Sequence, residues 1–294
     1  MEAAMKVFSL ILAFLVLLSA AAFAAEPDWQ AVEKVFGRKG TVQGNVFKVT
    51  FPRGDLKVRV GKLTVSPGLS LTSWAALRDE ENGTAVMGDL ALTEDEVTPV
   101  MKQLQAEGIW VTALHNHLLG ESPRIMYMHY GGRGEKAGVA ASLMRVLKLT
   151  HTPLAPPAPE KPSKTKPDWS KVEAILGKAG QAKGSIASFS YPRAESVTEM
   201  GIEIPPVMGL ATAINIEMLG KKAVAAGDFV LTADEVNPVA SALSEHGITV
   251  TAIHNHMLFE TPRLFFMHIW GYDGPENLAK GIKAALEKVK LKGM

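Results

Sequence analysis

A chain of 294 residues is long for one domain and sufficient for two, because domains usually contain roughly 100–150 residues. Hydrophobic residues make up 47% and charged residues 21%, a composition that argues against a disordered or fibrous protein. The 31 basic and 30 acidic residues balance without a long basic run, which argues against nucleic-acid binding, and the lack of cysteine excludes disulfides and thiolate metal sites.

The first 24 residues are predicted to be a secretory signal peptide. Lys6 precedes a short apolar run over residues 7–18, and Ala22 and Ala24 fit the small-residue positions of a cleavage site. The run is shorter than the roughly 20 residues that a membrane-spanning helix needs. No later segment is apolar enough to span a bilayer. We therefore expect a periplasmic or secreted mature protein that keeps no transmembrane span after cleavage near Ala24.

The rest of the chain contains the same pattern twice. The clearest repeated motifs are Phe51-Pro52-Arg53 with Tyr191-Pro192-Arg193, Gly88-Asp89 with Gly227-Asp228, His115-Asn116-His117 with His254-Asn255-His256, and Met128-His129 with Met267-His268. A proline-rich segment over residues 151–167 separates the copies and is typical of an extended linker. We therefore predict two homologous domains at residues 28–150 and 168–291, each able to build its own core and to fold separately.

The elements are easiest to follow in the second copy. A short helix is predicted to begin at its cap, Asp168, and to end at Gly177. Apolar runs then predict strands over residues 185–191, 202–206, 211–218 and 223–231.

The next helix ends at Gly247, and the sequence allows two starting points for it. Thr232 and Glu235 form a capping box, which would place Pro238 inside the helix. Alternatively, Asn237 is the cap and Pro238 is the first helical residue, an arrangement that Thr98-Pro99 repeats in the first copy.

Two strands and a closing helix complete the copy. Residues 249–258 and 263–270 alternate in polarity and flank a short break, so they predict a β-hairpin. Apolar residues at helical spacing over 278–289 predict an amphipathic helix. The order of elements indicates an α+β fold, in which each domain is a mostly antiparallel sheet with packed helices.

Three segments of the second copy are distinctive: residues 227–239 around Gly227-Asp228, residues 247–258 around His254-Asn255-His256, and residues 262–271 around Met267-His268. They resemble the LppY/LpqO family of secreted or lipid-anchored bacterial proteins, and the resemblance covers both copies. It implies an exported protein with paired domains and implies no particular reaction, because that family is uncharacterised. Lipid anchoring is not implied, because no cysteine stands at the cleavage site.

Six of the eight histidines form two matching triplets, which are His115, His117 and His129 in the first copy and His254, His256 and His268 in the second. Residues i and i+2 of a strand point to the same face. The third histidine shares that face if the register sum of the hairpin is even, for example with 268 opposite 254 or 256. Three imidazoles on one face could hold zinc or copper and leave a position open for water or a ligand. We therefore predict one three-histidine metal site in each half.

Three functional hypotheses follow from the histidine triplets. The leading one is a protein that binds a divalent metal. The second is a metal-dependent hydrolase, in which a carboxylate activates a metal-bound water. The third is a non-catalytic cell-envelope interaction module, in which duplication supplies bivalency. The histidines could also form a metal-free site for a small-molecule ligand or catalysis, or could serve structure alone.

Several charged residues near the triplets are weaker candidates. Asp89 and Asp228 could each be a fourth ligand or hold a histidine in place, or could make a hydrogen bond at the helix entry. Arg124 and Arg263 could clamp an anionic group or a small-molecule ligand, but pairing with a nearby carboxylate is slightly favoured. Glu96 and Glu235 occupy the capping-box position, which explains them without a catalytic role. The repeated Arg53 and Arg193 stand in no recognisable functional motif.

Overall fold

The computed structural model describes residues 28–156 and 167–293. The predicted signal peptide and most of the predicted linker lie outside these residues. The described start of the linker contacts the first repeat, because the Arg38 guanidinium donates hydrogen bonds to the carbonyl groups of Pro153, Leu154 and Ala155. Among the described residues, no helix is long and apolar enough to cross a bilayer.

The first repeat contains a six-stranded antiparallel sheet with three of its four helices on one side. Its helices are α1 (Gln30–Phe36), α2 (Pro67–Ser70), α3 (Glu94–Ala106) and α4 (Lys136–Leu147). Its strands are β1 (Thr41–Gln43), β2 (Val46–Pro52), β3 (Arg59–Val60), β4 (Leu63–Thr64), β5 (Thr72–Glu80), β6 (Gly83–Thr93), β7 (Trp110–His115), β8 (Glu121–Ser122) and β9 (Ile125–Gly134). The large sheet has the order β1-β2-β5-β6-β9-β7, and the short strands form a second sheet, β4-β3-β8.

The second repeat has the same topology. Its helices are α5 (Ser170–Leu176), α6 (Ala233–Glu245) and α7 (Pro275–Leu286), with a 3-10 turn at Pro206–Met208 in the place of α2. Its strands are β10 (Gln181–Lys183), β11 (Ile186–Pro192), β12 (Thr198–Glu199), β13 (Ile202–Glu203), β14 (Ala211–Leu219), β15 (Lys222–Leu231), β16 (Thr249–His254), β17 (Glu260–Thr261) and β18 (Phe265–Asp273). The large sheet has the order β10-β11-β14-β15-β18-β16, which confirms the predicted α+β class.

Local sequence explains most element boundaries. The helix α6 begins at the capping box, because the Thr232 side chain accepts from the N3 backbone and the Glu235 carboxylate accepts from the Thr232 N–H, so Pro238 lies inside the helix. The predicted strand over residues 202–206 shrinks to Ile202–Glu203. Pro205 and Pro206 follow directly, and proline has no N–H to donate to a strand ladder.

Each large sheet buries one face under its own helices. In the first repeat, Phe47, Phe51 and Leu77 pack against α1, α3 and α4 residues such as Phe36 and Leu143. The second repeat builds the equivalent core around Phe189, with helix residues such as Leu243 and Ile282. These two cores form the outer parts of the molecule.

The opposite faces of the two sheets meet each other. One shared core combines Ala76 and Met87 of the first repeat with Val230, Met257 and Phe266 of the second. A second shared core combines residues of the first repeat, among them Val65, Leu118 and Tyr127, with Val224 and Ala226 of the second. The molecule is therefore layered helix, sheet, sheet, helix, and the two repeats are not independent bodies as the sequence suggested.

An isolated second repeat, residues 168–293, should therefore be less stable than the whole chain. Without the first repeat, side chains such as Val230 and Phe266 lose part of their cover, which should lower the free energy of unfolding by roughly 3 kcal/mol or more. Urea unfolding of the fragment and of the whole chain, followed by circular dichroism, measures this difference. Equal unfolding midpoints would contradict the shared cores.

Candidate metal centre

The strand register places a histidine and an aspartate of each repeat on the inner face of its sheet. In the second repeat, His268 of β18 lies opposite Asp228 of β15 on one side and opposite Ala252 of β16 on the other. His129, Asp89 and Ala113 repeat this arrangement in the first repeat. Directly opposed residues of antiparallel strands share a face, so His254, two residues after Ala252, lies on the same face as His268.

The predicted hairpin is confirmed only in part. The strands β16 and β18 are antiparallel neighbours with an even register sum, as the shared face requires. The partner of His268 is Ala252 and neither of the predicted histidines, and the ladder shifts between Val250 and Ala252. His256 lies beyond the end of β16. The chain between the strands contributes β17 to a separate small sheet, so the connection is not a simple turn.

The six histidines form one cluster between the repeats, which corrects the expectation of one site in each half. The rings of His115 and His254 stack with their centroids 3.5 Å apart, and Nε2 of His115 lies 3.3 Å from Nε2 of His268. His117 lies 3.7 Å from His268 between ring centroids. The physical reason is the packing of the two sheets face to face, because each histidine-bearing face is covered by the other.

Aromatic residues line both ends of the cluster. His117 stacks on Tyr127 with ring centroids 3.3 Å apart, and His256 stacks on Phe266 at 3.4 Å. The Tyr127 hydroxyl donates to the Ser70 carbonyl, an anchor that Phe266 lacks. The two ends of the cluster are therefore similar in shape and different in polarity.

The asparagine of each His-Asn-His motif holds the two repeats together. Asn116 donates a hydrogen bond to the Thr251 carbonyl at 3.0 Å, and Asn255 donates to the Thr112 carbonyl at 2.9 Å. The Thr251 hydroxyl donates to the His117 carbonyl and the Thr112 hydroxyl donates to the His256 carbonyl, both at 2.6 Å. No role for the asparagines was predicted from the sequence, and the contacts show that they position the histidines across the interface.

Burial keeps the imidazoles neutral, because it is the main cause of a lowered pKa for all six histidines. The proximity of other imidazoles lowers the pKa further for all of them except His254. The pKa of His268 falls to about 3, although Asp228 acts in the opposite direction. Burial, followed by the charge of Asp228, raises the pKa of Asp89 to about 8. At neutral pH the cluster therefore offers uncharged nitrogen donors.

Seven buried side-chain atoms of the cluster have no hydrogen-bond partner among the described residues: Asp89 Oδ1, His115 Nδ1, His117 Nε2, His129 Nε2, Asp228 Oδ1, His254 Nε2 and His256 Nε2. Buried polar atoms are normally satisfied, because leaving one unpaired costs about 1–3 kcal/mol. So many unsatisfied donors and acceptors in one place need a partner that the chain itself does not supply.

The geometry of the donors suits a metal ion. Three groups have ligand atoms within 4.8 Å of one another: His115, His117 and His268; His115, His129 and His254; and Asp228, His254 and His256. Zn–N bonds of about 2.0–2.1 Å place tetrahedral ligand atoms roughly 3.3 Å apart, close to the His115–His268 nitrogen distance. Two of the three groups take histidines from both repeats.

The two aspartates lie beside the histidines, as one of the two interpretations expected. Oδ2 of Asp228 is 3.1 Å from Nε2 of His256, and Oδ2 of Asp89 is 3.7 Å from Nε2 of His117. These are ion-pair distances without hydrogen-bond geometry.

The predicted arginines lie away from the cluster. The Arg263 guanidinium pairs with the Glu260 carboxylate at 3.0 Å, as the sequence slightly favoured, and Arg124 is exposed. Neither side chain borders the cavity beside the histidines.

Arg53 and Arg193 have a structural role that the sequence analysis missed. The Arg53 guanidinium is fully buried and contacts the Glu96 carboxylate at 2.8 Å, and Arg193 pairs with Glu235 at 2.5 Å in the same place. Each pair joins a strand to the first turn of a helix. The repeated Pro-Arg dipeptide was the sequence feature that could have indicated this role. Because each arginine pairs with the capping-box glutamate, Glu96 and Glu235 are no longer candidate catalytic residues.

A cavity of about 540 Å³ opens beside the histidines and is bordered by Asp89, Asp228, His117 and His256. Lys48, which the sequence analysis did not single out, also borders it. Its ammonium group lies 4.3 Å above the Trp74 ring and donates to the Val207 carbonyl at 3.0 Å. Burial lowers the pKa of Lys48 to about 8. The cluster is thus accessible to a small ligand.

Comparison with known proteins identifies the family. The family described as Domain of Unknown Function (DUF1259) matches residues 30–149 and 170–288, so the chain belongs to this family and contains its domain twice. No curated protein matches the chain.

Two solved structures show a distant similarity. EtuB from Clostridium kluyveri is 9% identical over 85% of this chain and 88% of its own, with a TM-score of 0.20. The trimeric bacterial microcompartment shell protein PduB is 11% identical over 83% and 86%, with a TM-score of 0.19. These values are too low to support a statement about fold or function.

Proposed function

We propose that this DUF1259 protein binds a divalent transition metal, zinc or copper, in a single centre that both repeats build. The observation that carries the proposal is the convergence of six neutral histidines with seven unsatisfied buried atoms. Imidazole binds metals only in its neutral form, and the lowered pKa values provide that form without prior loss of a proton.

The ligand groups allow one ion or two. The set of His115, His117 and His268 shares no residue with the set of Asp228, His254 and His256, so both sets could be filled together. His129 stands between them and contacts His256 with ring centroids 3.8 Å apart. The centre would hold no more than two ions in a chain if each histidine offers one nitrogen.

Titration of metal-free full-length protein with Zn²⁺ or Cu²⁺ tests the proposal. His256→Ala should weaken binding at least about tenfold, because His256 belongs to a ligand group and is buried. His246→Ala is the matched control, because His246 is exposed at the end of α6 and outside every ligand group. Equal affinity and stoichiometry in both variants, measured by calorimetry, would reject His256 as a ligand, and no binding of either metal to the wild type would reject the metal centre.

A second candidate function is a metal-dependent hydrolase, and the cavity favours it. The 540 Å³ space is of the size that holds a small substrate, and Asp89 and Asp228 border it next to the histidines. A bound metal would supply Lewis acidity and acidify a water molecule. Asp89, with its pKa raised to about 8, is suited to accept or return a proton near neutral pH. Hydrolysis of a panel of ester and phosphoester substrates that Asp89→Asn abolishes would support this candidate; no hydrolysis by the metal-loaded protein would count against it.

We also propose that the protein is exported to the periplasm, as the resemblance to the LppY/LpqO family implies. Lys6, the short apolar run and the Ala22-x-Ala24 site support cleavage after Ala24. The intact mass of protein from the periplasmic fraction should correspond to a chain that begins at Ala25. Retention of residues 1–24 in the membrane fraction would contradict this proposal.

A further inference from the structure

A second cavity, of about 360 Å³, lies between the repeats and is separate in character from the polar one. Its walls are mainly apolar and include Met87, Trp110 and Gly131 of the first repeat and Ile202, Ile204 and Met257 of the second. A volume of this size is typical of pockets for small organic molecules. The histidine cluster touches it only through His256, so the cavity is not needed to hold a metal.

Internal symmetry shows what is missing from this cavity. The residue opposite Met87 in the ladder of β6 and β9 is Gly131, and the residue opposite Ala226 in the matching ladder is Trp270. Gly131 and Trp270 are therefore counterparts. Trp270 packs against the shared core that contains Val65, Leu118 and Ala226, and these three are the counterparts of the cavity residues Ile204, Met257 and Met87. On one side of the molecule an aromatic ring fills the space, and on the other side the space is open.

The rim of the open cavity carries large apolar side chains where the corresponding positions of the first repeat are glycines. Met200 at the rim is 60% exposed, and the nearby Phe259 is 61% exposed, whereas their counterparts in the first repeat are Gly61 and Gly120. Phe259 packs edge-on against Trp110 with ring centroids 6.3 Å apart. Exposed apolar side chains gathered at the mouth of an apolar pocket indicate a binding site.

Met200 adds an independent sign of function. Its φ of 51° lies in the left-handed region, where Gly61 stands with a φ of 58° in the first repeat. A methionine in this conformation is strained, and such strain concentrates at ligand-binding sites. Met200 therefore has a strained backbone at a position where the first repeat has a glycine, Gly61.

We propose that this cavity binds a planar aromatic small molecule about the size of an indole ring, in the place that Trp270 occupies on the opposite side. The wall formed by Trp110 and the sulfur atoms of Met87, Met200 and Met257 suits the face and edge of an aromatic ring. The site shares only the His256 side chain with the proposed metal centre, and neither site requires the other.

Calorimetric titration of the full-length, EDTA-treated protein with indole tests the proposal. Wild type should bind one indole per chain, and Gly131→Trp should bind it at least tenfold more weakly, because the new side chain fills the cavity. A Cβ at Gly131 would meet only the Val86 carbonyl oxygen at 3.7 Å and the Thr112 methyl at 3.9 Å, so the position tolerates a side chain. Gly54→Trp is the matched control, because a Cβ there meets nothing within 4 Å and the residue is exposed far from the cavity lining.

A reciprocal variant tests the symmetry argument. Trp270→Gly should open the matching space and raise the stoichiometry from one indole to two, with a gain in thermal stability when indole is added. If Gly131→Trp does not fold, Gly131→Leu serves in its place and should also weaken binding at least tenfold. No binding of millimolar indole to wild type, or unchanged binding in a folded Gly131 variant, would overturn the proposal.

Discussion

A His115→Ala variant is expected to lose zinc or copper binding, with an affinity loss of at least about 100-fold. His115 belongs to two of the three ligand groups, and each of these groups includes a histidine of the second repeat. Its ring also stacks against His254, so its removal leaves that imidazole without its nearest neighbour. Losing even residues that only orient metal ligands costs 10–100-fold in affinity, so a shared ligand should cost at least as much.

The shared centre also predicts coupling between variants in different repeats. His115→Ala and His268→Ala should each remove most of the binding, and the double variant should lose little more than either single variant, because all three destroy the same ligand group. Calorimetric titrations of the four proteins complete the cycle, with His246→Ala as the control. Losses that add independently would instead indicate that His115 and His268 bind separate ions.

Metal-free protein is expected to unfold steeply with acid, between about pH 6 and pH 5. The folded-state pKa of each cluster histidine is lowered below its unfolded value, which is about 6.5. Below pH 6.5 the histidines of the unfolded chain bind protons, whereas those of the folded chain stay neutral. The stability is therefore present above pH 6.5 and is lost as the pH falls below it. Asp89 acts in the opposite direction, because its raised pKa makes the folded state hold a proton that the unfolded state releases.

The combined effect of the histidine and aspartate pKa shifts is large enough to unfold a domain. Six histidines with a lowered pKa act against one aspartate with a raised pKa, so unfolding takes up protons below pH 6.5 and each net proton lowers the free energy of unfolding by about 1.4 kcal/mol per pH unit. The free energy of unfolding of a whole domain is typically about 5–15 kcal/mol. Urea unfolding at a series of pH values measures how steeply the free energy of unfolding falls with pH. A His129→Gln variant should reduce this slope by about 1.4 kcal/mol per pH unit. A free energy of unfolding that is constant from pH 7 to pH 5 would contradict the neutral, buried cluster.

The sequence predicted the parts of the site that depend on local periodicity. The spacing of His254 and His256 predicted that these two imidazoles share a face, whereas the face of His268 depended on a register that the sequence left open and that the structure shows to be even. The capping box was one of the two helix starts that the sequence allowed, and the structure adopts it at Thr93 and at Thr232.

The sequence did not predict which surface covers that face. A strand that alternates in polarity gives no information about the sheet opposite it, so the two triplets were assigned to separate sites. Long-range contacts such as Asn116 to Thr251, or Arg53 to Glu96, join residues far apart in the chain. The duplication could have indicated the shared centre. When two copies in one chain carry the same polar sheet face, packing these faces against each other buries both of them.

The central claim is that histidines of both repeats bind the same metal ion. Anomalous diffraction at the zinc edge, from crystals of the full-length protein grown with zinc, locates the ion directly. We expect a peak among the stacked rings of His115 and His254, with bonds to at least one histidine from each repeat. Peaks bound by the histidines of only one repeat, or no peak in the cluster, would contradict it.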